Sequence, residues 1–317
     1  MHETDLDPAR IAEASHLIDP MLLSSPQFVD EQLCAALGRR VLVKIETLNP
    51  LRSFKGRGVD LLAREFEPGT RLVCESTGNF GQALGYAAAR HGLRAEVFVP
   101  AGTSPVKLTR MTSLGVDVHE VSVGTPEETA RKHAARVGGV FVEDGQHPRV
   151  SEGAGTIGVE LLAAGRLDTV VLPVGDGALI TGVARWIKEH APRTRIVGVC
   201  AKGAASMVDS WRAGRVVSTG RADTVAEGVA VHTPIPESVE RVCVLVDDMV
   251  VVEDADMLAG MRTALATLGV LPEPAGAAGL AAIAAHDLPG DVVATVVTGA
   301  NVGSGLFGDV RLDDVLR

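Results

Sequence analysis

Short apolar runs recur along the chain, most of them rich in valine: Val41–Ile45, Leu72–Cys74, Ala95–Val99, Val140–Val142, Thr169–Val174, Ile196–Cys200, Val242–Val246 and Val292–Val297. Most are apolar at successive rather than alternate positions. That is how strands read when both faces of a parallel sheet are covered. Between them lie segments with helical character, Gly81–Arg90, Glu127–Val137 and Ile180–His190, and Arg57–Glu65 reads as a helix just after a loop. Strand–helix alternation of this kind predicts an α/β fold with parallel sheets.

The strand–helix units fall into two groups, one over about residues 50–148 and one from Ser151 onward. The segment Glu152-Gly-Ala-Gly-Thr156 reads as a glycine-rich joint between them. No internal repeat, coiled coil or low-complexity stretch interrupts the pattern.

Composition narrows the function classes. With 46% hydrophobic residues among 317, a sizeable core can form. The net charge is −10 and no Lys/Arg cluster stands out, which argues against a nucleic-acid surface, because phosphate neutralisation needs concentrated positive charge. A local loop can still bind a small anion. The four cysteines are widely separated and form no C-x-x-C pair, so buried thiols in a cytoplasmic protein are expected rather than a zinc or disulfide framework. Met1–Arg10 lacks the apolar run of a signal peptide, and no stretch approaches the ~20 apolar residues of a membrane helix.

Four segments carry candidate chemistry. Ser53-Phe-Lys-Gly-Arg-Gly58 sets one lysine between an aromatic ring and two glycines at the start of a helix. An amine attacks an aldehyde only when neutral, and apolar neighbours favour that state. Phe54 can wall one side of a flat cofactor. Ser76-Thr-Gly-Asn-Phe-Gly-Gln82 joins a strand to a helix, where main-chain N–H groups and the Ser76, Thr77 and Asn79 side chains offer donors to a carboxylate. Pro173-Val-Gly-Asp-Gly-Ala-Leu-Ile-Thr-Gly182 repeats that geometry and suits a phosphate, although Asp176 is an uncomfortable neighbour for a dianion unless its side chain turns away. Its spacing is not that of a nucleotide P-loop. Thr298-Gly-Ala-Asn301 follows the last apolar strand, at the strand end where open α/β sheets bind ligands.

In this order and spacing the four segments resemble the β-family, or fold type II, of pyridoxal-phosphate (PLP) enzymes, most closely the serine/threonine dehydratase and serine racemase group. The resemblance runs from about Ile18 to Asn301, with Glu152–Thr156, Ala226–Val231 and Glu273–Leu280 as supporting stretches. It implies two domains, each a twisted, mostly parallel sheet flanked by helices, with PLP in the cleft between them. Residues 1–49 plus 149–317 would form the large, PLP-binding domain, and 50–148 the small domain carrying the carboxylate loop. Residue by residue, it implies Lys55 as the Schiff-base lysine and the base at the substrate Cα. Phe54 would pack beside the ring and Asn79 would hydrogen-bond its phenolic oxygen. Gly175, Asp176, Gly177, Ala178 and Leu179 would cradle the phosphate. Gly228 would pass near the ring, and Thr298 would face the pyridine nitrogen. Ser76, Thr77, Gly78, Asn79 and Phe80 would hold the substrate.

The activity so implied is deamination of a small β-hydroxy amino acid (serine, threonine or 3-hydroxyaspartate) to a 2-keto acid and ammonia through an aminoacrylate. A β-replacement synthase is the alternative, since Asn49-Pro near Ser53-Phe-Lys55 also resembles threonine synthase and cysteine synthase. Racemisation ranks third, because Thr77 stands where serine racemase carries its opposite-face acid. A protein that binds PLP without turnover is the reading outside enzymology. Phe80 replaces the usual histidine and is expected to reshape the substrate pocket. Arg52 stands where relatives often carry glycine, and either contacts a second acidic group on the substrate or is simply solvated. Cys200, after Val197-Gly-Val199, replaces the hard oxygen ligand of metal-activated members, so no metal is expected there. A cytoplasmic homodimer is the family expectation.

Overall fold

The computed structural model describes residues 4–302. Among these it contains ten strands: β1 (Gln27–Val29), β2 (Arg40–Ile45), β3 (Arg71–Glu75), β4 (Arg94–Pro100), β5 (Asp117–Val121), β6 (Val140–Phe141), β7 (Thr169–Pro173), β8 (Arg195–Ala201), β9 (Asp248–Val252) and β10 (Val292–Val297). Twelve α-helices accompany them: α1 (Pro8–Leu17), α2 (Glu31–Leu37), α3 (Lys55–Ala63), α4 (Asn79–His91), α5 (Pro105–Ser113), α6 (Pro126–Val137), α7 (Pro148–Ala163), α8 (Ala178–His190), α9 (Ser206–Ala213), α10 (Pro236–Leu245), α11 (Asp254–Leu268) and α12 (Pro274–Ala285). The strands form two sheets. One has the order β1-β2-β10-β7-β8-β9 and is parallel except for β1; the other has the order β5-β4-β3-β6 and is parallel throughout. Among the described residues no helix is long and apolar enough to cross a membrane.

The α/β expectation holds, and most of the valine-rich runs are central strands with buried faces, as in β7, where every residue is buried. Two expectations need correction. Val242–Val246 is not a strand: Val242 and Leu245 end α10, which Pro236 opens, and Val239, Val242 and Leu245 bury one helical face. The neighbouring strand is instead β9, two residues further on. Strands β1 and β5 lie outside the predicted runs, because their exposed or mixed positions break the apolar pattern.

Glu152–Thr156 is not a joint but the middle of α7. Its glycines serve close packing. A Cβ on Gly153 would come 2.5 Å from the Arg57 carbonyl oxygen, and one on Gly155 would come 2.9 Å from that of Gly182. Helix α7 is thus clamped between α3 and α8 with backbone against backbone, a role only glycine permits. That stack fixes the start of α3, where Lys55 sits, relative to the start of α8.

An ion cluster strengthens the stack. Arg57, fully buried in α3, donates to both Glu46 oxygens (2.9 and 2.7 Å), to Glu160 (2.6 and 3.0 Å) and to Thr156 Oγ1 (3.0 Å). Lys44 pairs with Glu160 from the other side. The neighbouring carboxylates raise the Arg57 pKa against the cost of burial, while Glu160 is held below its ordinary value despite its own burial, chiefly by its bond to Arg57.

Candidate active site

Lys55 is the first residue of α3, and its Nζ lies 4.9 Å from the centre of the Phe54 ring. The segment is stitched to the end of β10. Phe54 N–H donates to the Thr298 carbonyl (3.0 Å), Ser53 bridges Gly299, and Ala300 N–H donates to the Arg52 carbonyl (2.9 Å). Thr298 therefore lies beside Lys55, and it is 4% exposed. The Lys55 ammonium pairs with Asp144, from the loop after β6. That loop is held from the large sheet's side, where Arg241 and Ser238 of α10 donate to the Gly145 carbonyl (2.8 and 3.1 Å).

The carboxylate loop forms at the end of β3. Ser76 Oγ accepts from the N–H groups of Gly78 and Gly81, 3.2 Å each, so this hydroxyl shapes the turn and keeps its own proton available. Asn79 opens α4 behind the uncapped Gly78. Its Nδ2 donates to Glu273 (2.7 Å), and its Oδ1 accepts from Asn301 Nδ2 (2.6 Å). Thr77 is half-buried in the same loop. Phe80 lies elsewhere. Its side chain is 4% exposed within the apolar core beneath the small sheet, which leaves its main-chain N–H in the first turn of α4 as the group it can offer a substrate.

The third segment turns from β7 into α8. Gly177 has φ +90° and caps α8 with no side-chain hydrogen bond, so the first-turn N–H groups of Ala178 and Leu179 have no side-chain cap. Ala178 and Leu179 point their side chains into the core, leaving the backbone toward the turn. A Cβ on Gly175 would come 2.8 Å from the Gly228 carbonyl, and one on Gly177 would come 3.3 Å from Ser238. A glycine turn at a free helix N-terminus is an anion cradle.

Asp176 does not turn away from this cleft. Burial, and then the nearby Asp144 carboxylate, push its pKa up to about 7, with Lys55 pulling the other way. A phosphate dianion beside it raises the pKa further, because like charges disfavour ionisation. Asp176 would then hold its proton and could donate it in a hydrogen bond to the phosphate. Binding of a phosphorylated cofactor should take up a proton above about pH 7. Affinity should fall as pH rises through that range, at a limiting slope of about tenfold per pH unit. Equilibrium titration of the apoprotein with cofactor at several pH values checks this; Asp176→Asn should remove the dependence.

Sequence reasoning missed two residues of the site, Asp144 and Glu273. Glu273 accepts from Asn79 and from Asn301 N–H (3.0 Å), lies beside Gly228 and Gly299, and is pushed up in pKa by burial. The available signals were slight: a carboxylate at the end of a strand, and a glutamate before the proline that opens α12. Arg52 is exposed on a left-handed backbone (φ +51°). Cys200 is buried, bonds the Val174 carbonyl, and has its thiol pushed up to about 12 by burial, so it is an inert wall residue.

A lysine tied through Asp144 and Gly145 to an uncapped, glycine-lined helix N-terminus suits an aldehyde cofactor that carries a phosphate. The family model for pyridoxal-phosphate dependent enzymes matches residues 22–299, and the chain belongs to that family. It is 32% identical to the biosynthetic L-threonine dehydratase of Salmonella typhimurium over 86% of this chain and 55% of that protein, so the chain spans about half the length of that relative. It is 31% identical to the serine racemase of Arabidopsis thaliana over 96% of this chain and 95% of that protein. The crystal structure of a T.th. threonine deaminase superposes with a TM-score of 0.88 at 30% identity, covering 93% of this chain and 98% of that one. The cofactor of the family is PLP, and the residues present fit it. Lys55 supplies the amine, the Gly175–Gly177 turn leaves the room a phosphate needs, and Thr298 offers a neutral hydroxyl at the end of β10.

Proposed function

We propose that this protein is a PLP-dependent ammonia-lyase that converts a small β-hydroxy amino acid, serine or threonine, to a 2-keto acid and ammonia. What supports the reading is the set of contacts that links Lys55, the turn before α8 and the Ser76–Asn79 loop: Asp144 pairs with Lys55, Gly145 packs on the Asp176 carbonyl, Phe54 bonds Thr298, and Asn79 bonds Asn301. Bound there, PLP supplies the electron sink that acidifies the substrate Cα. The loop orients the substrate carboxylate with main-chain N–H groups and the Ser76 hydroxyl. Lys55 takes the Cα proton at Nζ as general base. Asp144, its ion-pair partner, stabilises the ammonium so formed and keeps the amine aimed into the cleft. Asn79, held by Glu273 and Asn301, presents a fixed amide to the ring's edge. Thr298 would offer the ring nitrogen a hydroxyl rather than a carboxylate, which would leave the ring unprotonated and suit loss of a β-substituent.

Asp144 also bears on the substrate. A second carboxylate near Lys55 would face its ion-pair partner Asp144, and like charges brought together this way are costly. Of the three β-hydroxy substrates, 3-hydroxyaspartate should therefore be the poorest. Asp144→Asn should raise its kcat/KM relative to serine by about tenfold, equivalent to ~1.4 kcal/mol. Keto-acid release from L-serine, D-serine, L-threonine and the 3-hydroxyaspartates, measured with both forms, checks the ranking. Product that appears only when a thiol or amine is added would replace the lyase reading with a β-replacement synthase.

The division into residues 50–148 and the rest belongs to the same reading. It is supported by β3–β6 all lying between Arg71 and Phe141, with the other six strands outside. The reading also carries the family expectation of a cytoplasmic homodimer, whose mass light scattering measures.

A further inference from the structure

Away from this cleft, β4, β5 and α6 bring two imidazoles to one buried carboxylate. The register pairs Glu96 with Asp117 and Phe98 with His119, so all four side chains share one face of the small sheet. Helix α6 packs on that face through Ala130 and Ala134, and carries His133 to the same point. His119 Nε2 lies 3.0 Å and His133 Nε2 2.7 Å from the same oxygen, Glu96 Oε2. The approach of His133 is close, yet its buried Nε2 makes no hydrogen bond. His119 Nε2 is within hydrogen-bonding geometry of Glu96 Oε2, and the three possible ligand atoms of Glu96, His119 and His133 all lie within 4.8 Å of one another, close enough to share one ion. In tetrahedral zinc sites with bonds near 2 Å, neighbouring donor atoms stand about 3.3 Å apart. We propose that Glu96, His119 and His133 form a binding site for a divalent transition-metal ion of the zinc type, with Asp117 at its rim.

The surroundings fit a borderline cation. Two imidazoles and a carboxylate select zinc or its neighbours over magnesium or calcium, which prefer all-oxygen sites. Arg71 Nε, 2.7 Å from Glu96 Oε1, forms an ion pair with the other carboxylate oxygen and leaves Oε2 to face the imidazoles. Asp117 Oδ2, 3.6 Å from His119 Nε2 and largely exposed, adds negative charge at the rim, where a fourth position is open to solvent. One contact opposes the ion: Arg136 donates to His133 Nδ1 (2.9 Å), whereas an imidazole bound through Nε2 carries its proton on Nδ1. Arg136 is exposed and must swing aside. A bound ion would tie the edge strand β5 and helix α6 to β4, bracing the small sheet.

The test uses untagged holoenzyme, stripped with chelator and dialysed free of it, then titrated with Co²⁺ and competed with Zn²⁺. The expected result is a visible cobalt absorption that saturates at one ion per chain, without a thiolate charge-transfer band, and a Tm that rises with added Zn²⁺. His119→Ala and His133→Ala should each weaken binding by at least about 100-fold, with the far-UV circular dichroism and the cofactor absorbance unchanged. Arg136→Ala should tighten binding, a result that a hydrogen-bonded brace around Glu96 does not predict. No saturable uptake by the parent protein and Arg136→Ala, or uptake undiminished in His133→Ala, would overturn the proposal.

Discussion

Lys55→Ala abolishes keto-acid and ammonia release, with turnover down at least about 10³-fold, while the protein folds and still takes up cofactor. General acid–base work alone contributes about 10²–10⁴, and Lys55 is assigned both that work and the covalent hold on the cofactor. The fold should survive because the side chain is small in its packing role: it is half-buried, and its one ion pair is with Asp144. The phosphate cradle is untouched by the change, since it is built from the Gly175–Gly177 turn and the backbone of α8. Borohydride treatment followed by denaturation separates the two states. The parent protein should keep its cofactor covalently, on the peptide containing Lys55, and the variant should release it. Retained activity in the variant would mean that another base serves the reaction and that Lys55 is misassigned.

Arg57→Ala, two residues away, acts on stability instead. It leaves Glu46, fully buried, and Glu160, largely so, without their main cationic partner. Breaking a buried ion cluster by removing one member costs about 3–5 kcal/mol, since the remaining charge stays buried and unpaired. Urea unfolding of the holoenzyme should show the loss as a lower midpoint with an unchanged slope. Adding Glu46→Gln to Arg57→Ala should recover part of it, leaving Lys44 to pair with Glu160. A double variant as unstable as the single one would assign the loss to the cavity rather than to the stranded charge.

These two residues also show what a sequence discloses. Lys55 was legible because its chemistry is local: one lysine, flanking glycines and a helix start appear together in six residues. The cradle was legible for the same reason, as a strand–glycine–helix turn. The role of Arg57 was not, because its partners Glu46, Thr156 and Glu160 meet it only after β2, α3 and α7 have packed. Asp144 and Glu273 escaped on the same ground, each reaching the cleft from a distant segment. Phe80 shows that a position in a chemical motif can put its side chain into the core. Local composition also misled at Glu152–Thr156, where glycines that look like a hinge are a helix–helix contact. At Val242–Val246 an apolar run too short to show its period proved to be the end of a helix.

The most direct test of the central claim is a proton NMR time course of the holoenzyme with L-serine and, separately, L-threonine in D₂O. The account predicts loss of the amino-acid signals with matching growth of pyruvate or 2-oxobutyrate and of ammonia. Exchange of the Cα proton with the β-hydroxyl retained, or no change in either substrate, would contradict it.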